Sequence, residues 1–163
     1  MKEDNQPIIE DVDLDILQIL SRNGRESHHS IANELKKSPV TIKKHVEDLE
    51  SKGIIKDYGI QIDYEKLGYG IIALIEITIS KGKMLDVEKD ISKNPQVFGV
   101  YDITGDYDAL VFARFKDRKD LSSMVKTIHK NPNIERTNTH IVLNVIKEGT
   151  SFTELIEGEK RKE

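Results

Sequence analysis

Lys37-Ser38-Pro39 and Gly53-Ile54-Ile55 bracket a segment that has little choice but to be a helix. Ser38 can cap the first orphan amides, and Pro39 suits the first helical position, where its missing N–H costs nothing. Gly53 suits the left-handed residue just past a helix end. Between them Ile42, Val46 and Leu49 recur at i, i+4 and i+7, the spacing of a core-facing stripe. The opposite face then carries Val40, Thr41 and Lys44, with Lys43 and His45 on its shoulders. Small, hydroxyl and cationic side chains in the first turns of a short helix are what the major groove of DNA accepts. The plainer reading of the same face is a solvated helix surface.

The surrounding sequence favours the first reading. Lys36 to His45 hold four lysines, one histidine and no acid, in a chain whose net charge is −4. A basic edge on an acidic protein aims one surface at an anion, whereas a general nucleic-acid coat would be basic throughout. Asp13, Ile16, Leu17 and Leu20 have amphipathic spacing for a helix ending near Asn23-Gly24, and a second helix begins after Ser27 and runs through Ile31, Ala32 and Leu35. Lys36 to Ser38 join it to the Pro39 helix, so the last two helices of a three-helix unit form a helix-turn-helix. Ile54-Ile55 and Tyr58 to Ile62 then alternate as a short hinge strand, and Lys66-Leu67-Gly68-Tyr69-Gly70 reads as the hinge to a second domain.

From Ile71 the period changes. Ile71, Ala73, Ile75, Ile77 and Ile79 make one apolar face of a strand. Met84, Val87 and Ile91 give a helix closed by Asn94-Pro95, and Leu121, Met124, Val125 and Ile128 give another closed by Asn131-Pro132. Between the helices, Val97 to Thr104 and Tyr107 to Phe115 read as strands joined by a tight turn at Gly105-Asp106, and Ile134 to Ile146 supplies a last strand. The order is βαββαβ, the ferredoxin-like arrangement. An internal echo fits two βαβ halves: Ile91-Ser92-Lys93-Asn94-Pro95-Gln96-Val97 returns as Ile128-His129-Lys130-Asn131-Pro132-Asn133-Ile134. With helices on one face of the sheet, the other face, including Ile72, Leu74, Phe98, Val100, Leu110 and Phe112, needs cover, which pairing between two copies would supply.

The expected class is α+β: a helix-turn-helix domain over 1–60, a linker over 61–70, a βαββαβ domain over 71–150 and a charged tail over 151–163, with residues 1–9 a loose arm. No apolar run approaches the ~20 residues that cross a bilayer, and the polar Met1 to Gln6 does not resemble a signal peptide. The chain has no cysteine, hence no thiol nucleophile and no zinc finger. These features fit a cytoplasmic protein with no membrane partner.

A helix-turn-helix, a hinge and a βαββαβ domain together resemble the Lrp/AsnC family of prokaryotic transcription regulators, over roughly residues 9 to 150. The resemblance is carried by Asp13-x-x-Ile16-Leu17-x-x-Leu20, by Arg25 and Ile31-Ala32, and by Ser38-x-x-Thr41-Ile42-x-Lys44-His45-Val46-x-x-Leu49-Glu50-x-x-Gly53-Ile54-Ile55. Thr104-Gly105-Asp106-Tyr107-Asp108 looks like the signature turn of the family's effector domain. The resemblance implies a regulator of double-stranded DNA that dimerises through the βαββαβ domain, often assembles into higher even-numbered oligomers such as octamers, and in many members senses an amino acid. The family usually has two arginines where this chain has Lys44 and His45, a leucine at Lys37, and often a basic residue at Asp48. Lysine cannot reproduce arginine's bidentate fork on guanine, and Glu47 and Asp48 would repel phosphate, so only the first two turns are expected in the groove.

The candidate DNA-binding residues are therefore Ser38, Val40, Thr41, Lys43, Lys44 and His45. Candidate effector-binding residues are Thr104, Gly105, Asp106, Tyr107 and Asp108, with Thr137 and Thr139 able to line the same place. Turn amides would receive an α-carboxylate, and a carboxylate such as Asp108 would hold the α-ammonium. Turn chemistry alone also accounts for Gly105 and the aspartates. His28, His29, His45, His129 and His140 show no metal-ligand spacing, the chain has no phosphate-binding glycine loop, and no nucleophile has a recognisable partner. No metal, no cofactor and no catalysis are expected. The alternatives are a ligand-independent protein that wraps DNA, and a small-molecule sensor or enzyme whose helix-turn-helix docks a protein.

Overall fold

A computed structural model describes residues 8–149 and 154–155. The arm over 1–9 and the tail over 151–163 fall almost wholly outside the described residues. Two compact units divide near Gln61 and Ile62.

The first unit holds α1 (Asp11–Arg22), α2 (His28–Leu35) and α3 (Pro39–Ser51). Their ends follow the local chemistry. Ser27 accepts the Ser30 amide at the start of α2, and Ser38 accepts the Thr41 amide at 3.0 Å at the start of α3, with Pro39 in the first turn. Gly53 takes the left-handed conformation at φ 67°, and the Ile54 amide returns to the Leu49 carbonyl. Between α2 and α3 the chain turns on Lys36, whose φ of 53° makes it the one non-glycine at positive φ among the described residues. Ile16, Ile31, Ala32, Ile42, Val46 and Leu49 close one apolar core, with Leu17, Leu20 and Leu35 packed at its edge.

The expected hinge strand does not form. Residues 56–63 carry no strand, and Ile60 is 80% exposed. The alternation there is that of a strand, but among the described residues no strand pairs with it. The following residues belong to the second unit. Tyr64 and Phe98 lie on the Arg114 guanidinium at 5.4 and 5.3 Å, and Tyr69 lies under the Lys116 ammonium at 4.9 Å. Cation–π contacts thus tie 64–69 to the sheet.

The second unit runs β1 (Ile71–Ile79), α4 (Met84–Ile91), β2 (Val97–Asp102), β3 (Ala109–Phe115), α5 (Arg118–His129) and β4 (Ile134–Ile141). The sheet is antiparallel in the order β2-β3-β1-β4, the ferredoxin-like topology expected from βαββαβ. Ala73, Ile75, Ile77 and Ile79 of β1 and Ala109, Val111, Ala113 and Phe115 of β3 face Val87, Ile91, Leu121, Met124 and Ile128 of the helices. The sequence echo is a structural one. The Asn94 and Asn131 side chains accept the amides of Gln96 and Asn133, and their carbonyls accept those of Val97 and Ile134. Each half thus stops its helix and starts its strand with the same hydrogen bonds.

Three boundaries differ from expectation. β2 stops at Asp102 and β3 starts at Ala109, so the tight turn at Gly105-Asp106 is a longer connection closed by the Ile103 amide on the Asp108 carbonyl. β4 stops at Ile141, short of the expected Ile146, with one more hydrogen bond from the Val142 amide to the Ile72 carbonyl before the chain leaves β1. In β2 the register shifts between Val97 and Gly99, so that Val100 pairs with Val111 and packs into the core. Val100 therefore does not share the uncovered face with Leu74, Phe98, Leu110 and Phe112, and Ile72, also expected to need cover, is already buried at 9% exposure. Tyr101 takes the place of Val100, opposite Leu110 and edge-on to the Phe112 ring at 5.5 Å.

Candidate nucleic-acid interface and effector loop

α3 is anchored by the face that carries Ile42, Val46 and Leu49, which leaves Val40 77% exposed and Lys43 and Lys44 exposed beside it. Ser38 lies at the same end, where its hydroxyl meets that of Thr41 at 2.8 Å. Both hydroxyls thus serve the cap while standing at the helix start. Lys43 reaches Glu47 one turn on, at 3.6 Å across an exposed pair. Among the described residues no ion pair holds Lys44. Exposed pairs at this spacing are weak, so phosphate can compete for Lys43 as well.

His45 is placed differently from its neighbours. Its Nδ1 stands 2.7 Å from Asp13 Oδ1, and the two side chains are only 20% and 3% exposed. Asp13 also accepts the Glu10 amide on its other oxygen at 2.9 Å, closing the first turn of α1. At the far end of the unit, Tyr58 donates its hydroxyl to Glu50 at 2.8 Å. Burial first, then this hydrogen bond and the Glu50 charge, push the Tyr58 phenol up to about 12.

The connection 103–108 seats against the end of β1. The Asp108 amide donates to the Ile77 carbonyl at 2.9 Å, and the Asp108 carboxylate accepts the Ile79 amide at 2.7 Å. Gly105 has φ 127°, a conformation that side chains avoid, and nothing crowds the place where a Cβ would stand. Thr104, Gly105 and Asp106 are exposed, while Tyr107 and Asp108 are half-buried. Thr137 lies opposite Ile77, so it flanks the same end of β1, and its hydroxyl meets His129 Nε2 at 2.6 Å. Thr139 pairs with Ile75, two residues deeper along the strand. Thr137 thus stands across β1 from Ala109, the sequence neighbour of Asp108, with Thr139 further off.

Sequence reasoning missed Arg136, whose guanidinium lies 4.6 Å from the Tyr107 ring centre. Its signal was present only through register: opposite Thr78 on β4, it projects to the sheet face that Thr137 does not. Glu76, Asn138 and His140 share that face, with Glu76 accepting from Asn138 at 2.9 Å and standing 3.0 Å from His140 Nε2. These contacts, the His140 one first, hold the Glu76 carboxyl below its usual range.

Comparison with known proteins assigns both halves. Residues 9–56 match a winged helix-turn-helix DNA-binding model, and residues 72–152 match the Lrp/AsnC ligand-binding domain. An HTH-type transcriptional regulator of Pyrococcus abyssi is 37% identical over 141 residues, 86% of this chain and 96% of its own. The HTH-type transcriptional regulator FL11 of Pyrococcus horikoshii is 33% identical over 144 residues, covering 88% of this chain and 95% of its own. Among solved structures, AsnC of E. coli superposes with a TM-score of 0.84 at 26% identity, covering 89% of this chain and 99% of that one. A Neisseria meningitidis transcriptional regulator solved as an L-Met complex superposes with a TM-score of 0.82 at 28% identity, covering 89% and 96%. No helix among the described residues is long and apolar enough to cross a membrane. With both of its units matched and relatives matched along nearly their whole length, the chain belongs to the Lrp/AsnC family of DNA-binding transcription regulators.

Proposed function

We infer that this regulator is sequence-specific and that a small amino-acid-like effector bound at the 104–108 connection modulates it. The observation that carries the first part is α3, whose outward face presents Val40, Thr41, Lys43 and Lys44 from a capped, core-anchored start. Val40 and Thr41 are suited to base edges, and the lysines to phosphate. The effector part rests on the ligand-binding match and on the L-Met complex of the Neisseria relative. In this chain the exposed amides near Gly105 receive the α-carboxylate. Asp106 holds the α-ammonium, because the Asp108 carboxylate is already engaged by the Ile79 amide.

The working form is a dimer. Leu74, Leu110, Phe112, Phe98 and Tyr101 form an apolar part of the uncovered sheet face, and a second copy covers it, with higher even-numbered assembly on top. A dimer also supplies the two-fold register that paired half-sites require.

The test is selection of duplexes from a random library by the purified protein, followed by a thermal-shift screen of amino acids and their derivatives beginning with L-Met. A recovered motif with inverted half-sites about one helical turn apart supports the sequence-specific reading. A bound amino acid raises stability by about 2.7 kcal/mol at one hundred times its dissociation constant. Tight DNA binding with no recovered motif and no effector would favour ligand-independent wrapping of DNA.

A further inference from the structure

Asp13 is the one charged side chain buried in the described residues. Its position is costly unless both oxygens are satisfied, and both are: Oδ2 by the Glu10 amide, Oδ1 by His45 Nδ1. An ionised carboxylate only accepts, so Nδ1 carries the proton and the imidazole orientation is set. The partners lie 32 residues apart, on the first turn of α1 and the middle of α3. Ile16, Ile42, Val46 and Leu49 pack between these helices, and Lys52 at the end of α3 donates to the Ile8 carbonyl ahead of α1 at 3.2 Å. Apolar packing is non-directional, and it sets no rotation of α3 about its axis as sharply as a hydrogen bond of 2.7 Å does. His45 also directly follows Lys44 and lies one turn beyond Thr41, on the edge of the outward face.

We propose that the Asp13–His45 contact fixes the pose in which α3 presents Val40, Thr41 and Lys44, so that His45 acts on DNA binding as a positioning residue, through α1, and not by touching DNA. This rests on α3 being the helix that reads DNA. Asp13 becomes a determinant of DNA affinity although it is too buried to reach a nucleic acid.

The experiment measures affinity and its salt dependence for a duplex selected from a random library by the wild-type protein. It compares Asp13→Asn, His45→Ala, the double variant, His45→Asn and Lys44→Ala, each at a temperature well below its own melting point. The proposal expects Asp13→Asn and His45→Ala each to bind about tenfold more weakly with unchanged salt slope. The double variant should be no worse than either one, and His45→Asn, whose amide can donate to Asp13, should recover most of the affinity. If Asp13→Asn does not fold, the His45→Asn and His45→Ala pair still decides, since equal loss in both overturns the proposal. It is also overturned if Asp13→Asn binds like wild type, if the two losses multiply, or if only the melting temperature moves. Weakening by Lys44→Ala alone leaves α3 as the reading helix and removes only the positioning role. Wild-type binding by Lys44→Ala and His45→Ala together removes both.

Discussion

The Asp108 carboxylate accepts the Ile79 amide at 2.7 Å while the Asp108 amide donates to the Ile77 carbonyl, so one residue clamps the 103–108 connection to two successive outward groups of β1. Hydrogen bonds to a charged group contribute about 1.5–3 kcal/mol. Asp108→Ala is therefore expected to destabilise the fold by an amount in that range, and Asp106→Ala, at an exposed site, by less than about 0.5 kcal/mol. Urea unfolding checks both. Comparable losses in the two variants would mean that Asp108 is not the clamp. In the effector screen the assignments separate: Asp106→Ala should abolish a ligand-induced shift that Asp108→Asn only reduces.

The lysines of α3 make distinct contributions to DNA binding. Each phosphate contact removed flattens the dependence of log affinity on log salt by about 0.9. Lys44→Ala should show that full step, and the Lys43→Ala and Lys44→Ala double variant about 1.8. Val40→Ala should leave the slope alone and change which duplexes are selected. Filter binding across a salt series reads the slopes, and an unchanged slope in the double variant would remove α3 from the interface.

Glu88 on α4 gives the fold an unusual pH dependence. Burial first, then hydrogen bonding to Asp102 and the Asp102 charge, push its carboxyl up to about 7 from 4.5, and its Oε1 is buried with no partner among the described residues. A carboxyl raised in the folded state keeps its proton while the unfolded chain has lost it. Stability therefore falls as pH rises from about 4.5 towards 7, and the penalty is complete above that. Glu88→Gln is expected to flatten this fall and to raise the melting temperature at pH 8 by about 2–4 °C, the response of a chain this size to roughly 1 kcal/mol. Melting curves across pH decide it. Parallel curves for the variant and the wild type would show that Glu88 does not control the slope.

What was legible in the chain was what local chemistry decides. Ser38, Pro39 and Gly53 mark α3 because capping, proline geometry and left-handed backbone are properties of single residues. The paired Asn-Pro stops announced two equivalent halves for the same reason. Contacts across the sequence were not legible. Period-two alternation carries no sign of the bulge that separates Phe98 from Val100, and Arg136 and Tyr107 meet only through register. The alternation at Tyr58 to Ile62 is real, but a strand needs a partner and none pairs with it among the described residues. His45 looked outward on a helical wheel because a wheel does not include Asp13 of another helix.

The split of β2 also makes assembly testable. Phe98 and Phe112 meet at 5.9 Å with their rings tilted on the uncovered face, whereas Val100, two residues from Phe98, packs against the core. A substitution on the first pair should act on association and one at Val100 on folding. Each large apolar side chain fully buried in a dimer contributes about 1.5–3 kcal/mol, and a charge placed there adds a desolvation cost. Phe112→Glu is therefore expected to shift the protein to monomer at micromolar concentration while it remains folded. Val100→Ala should lower the melting temperature by several degrees and leave the sedimentation coefficient unchanged. Were Phe112→Glu to sediment like the wild type, the dimer would have to form through some other surface, and the apolar face would need a different cover.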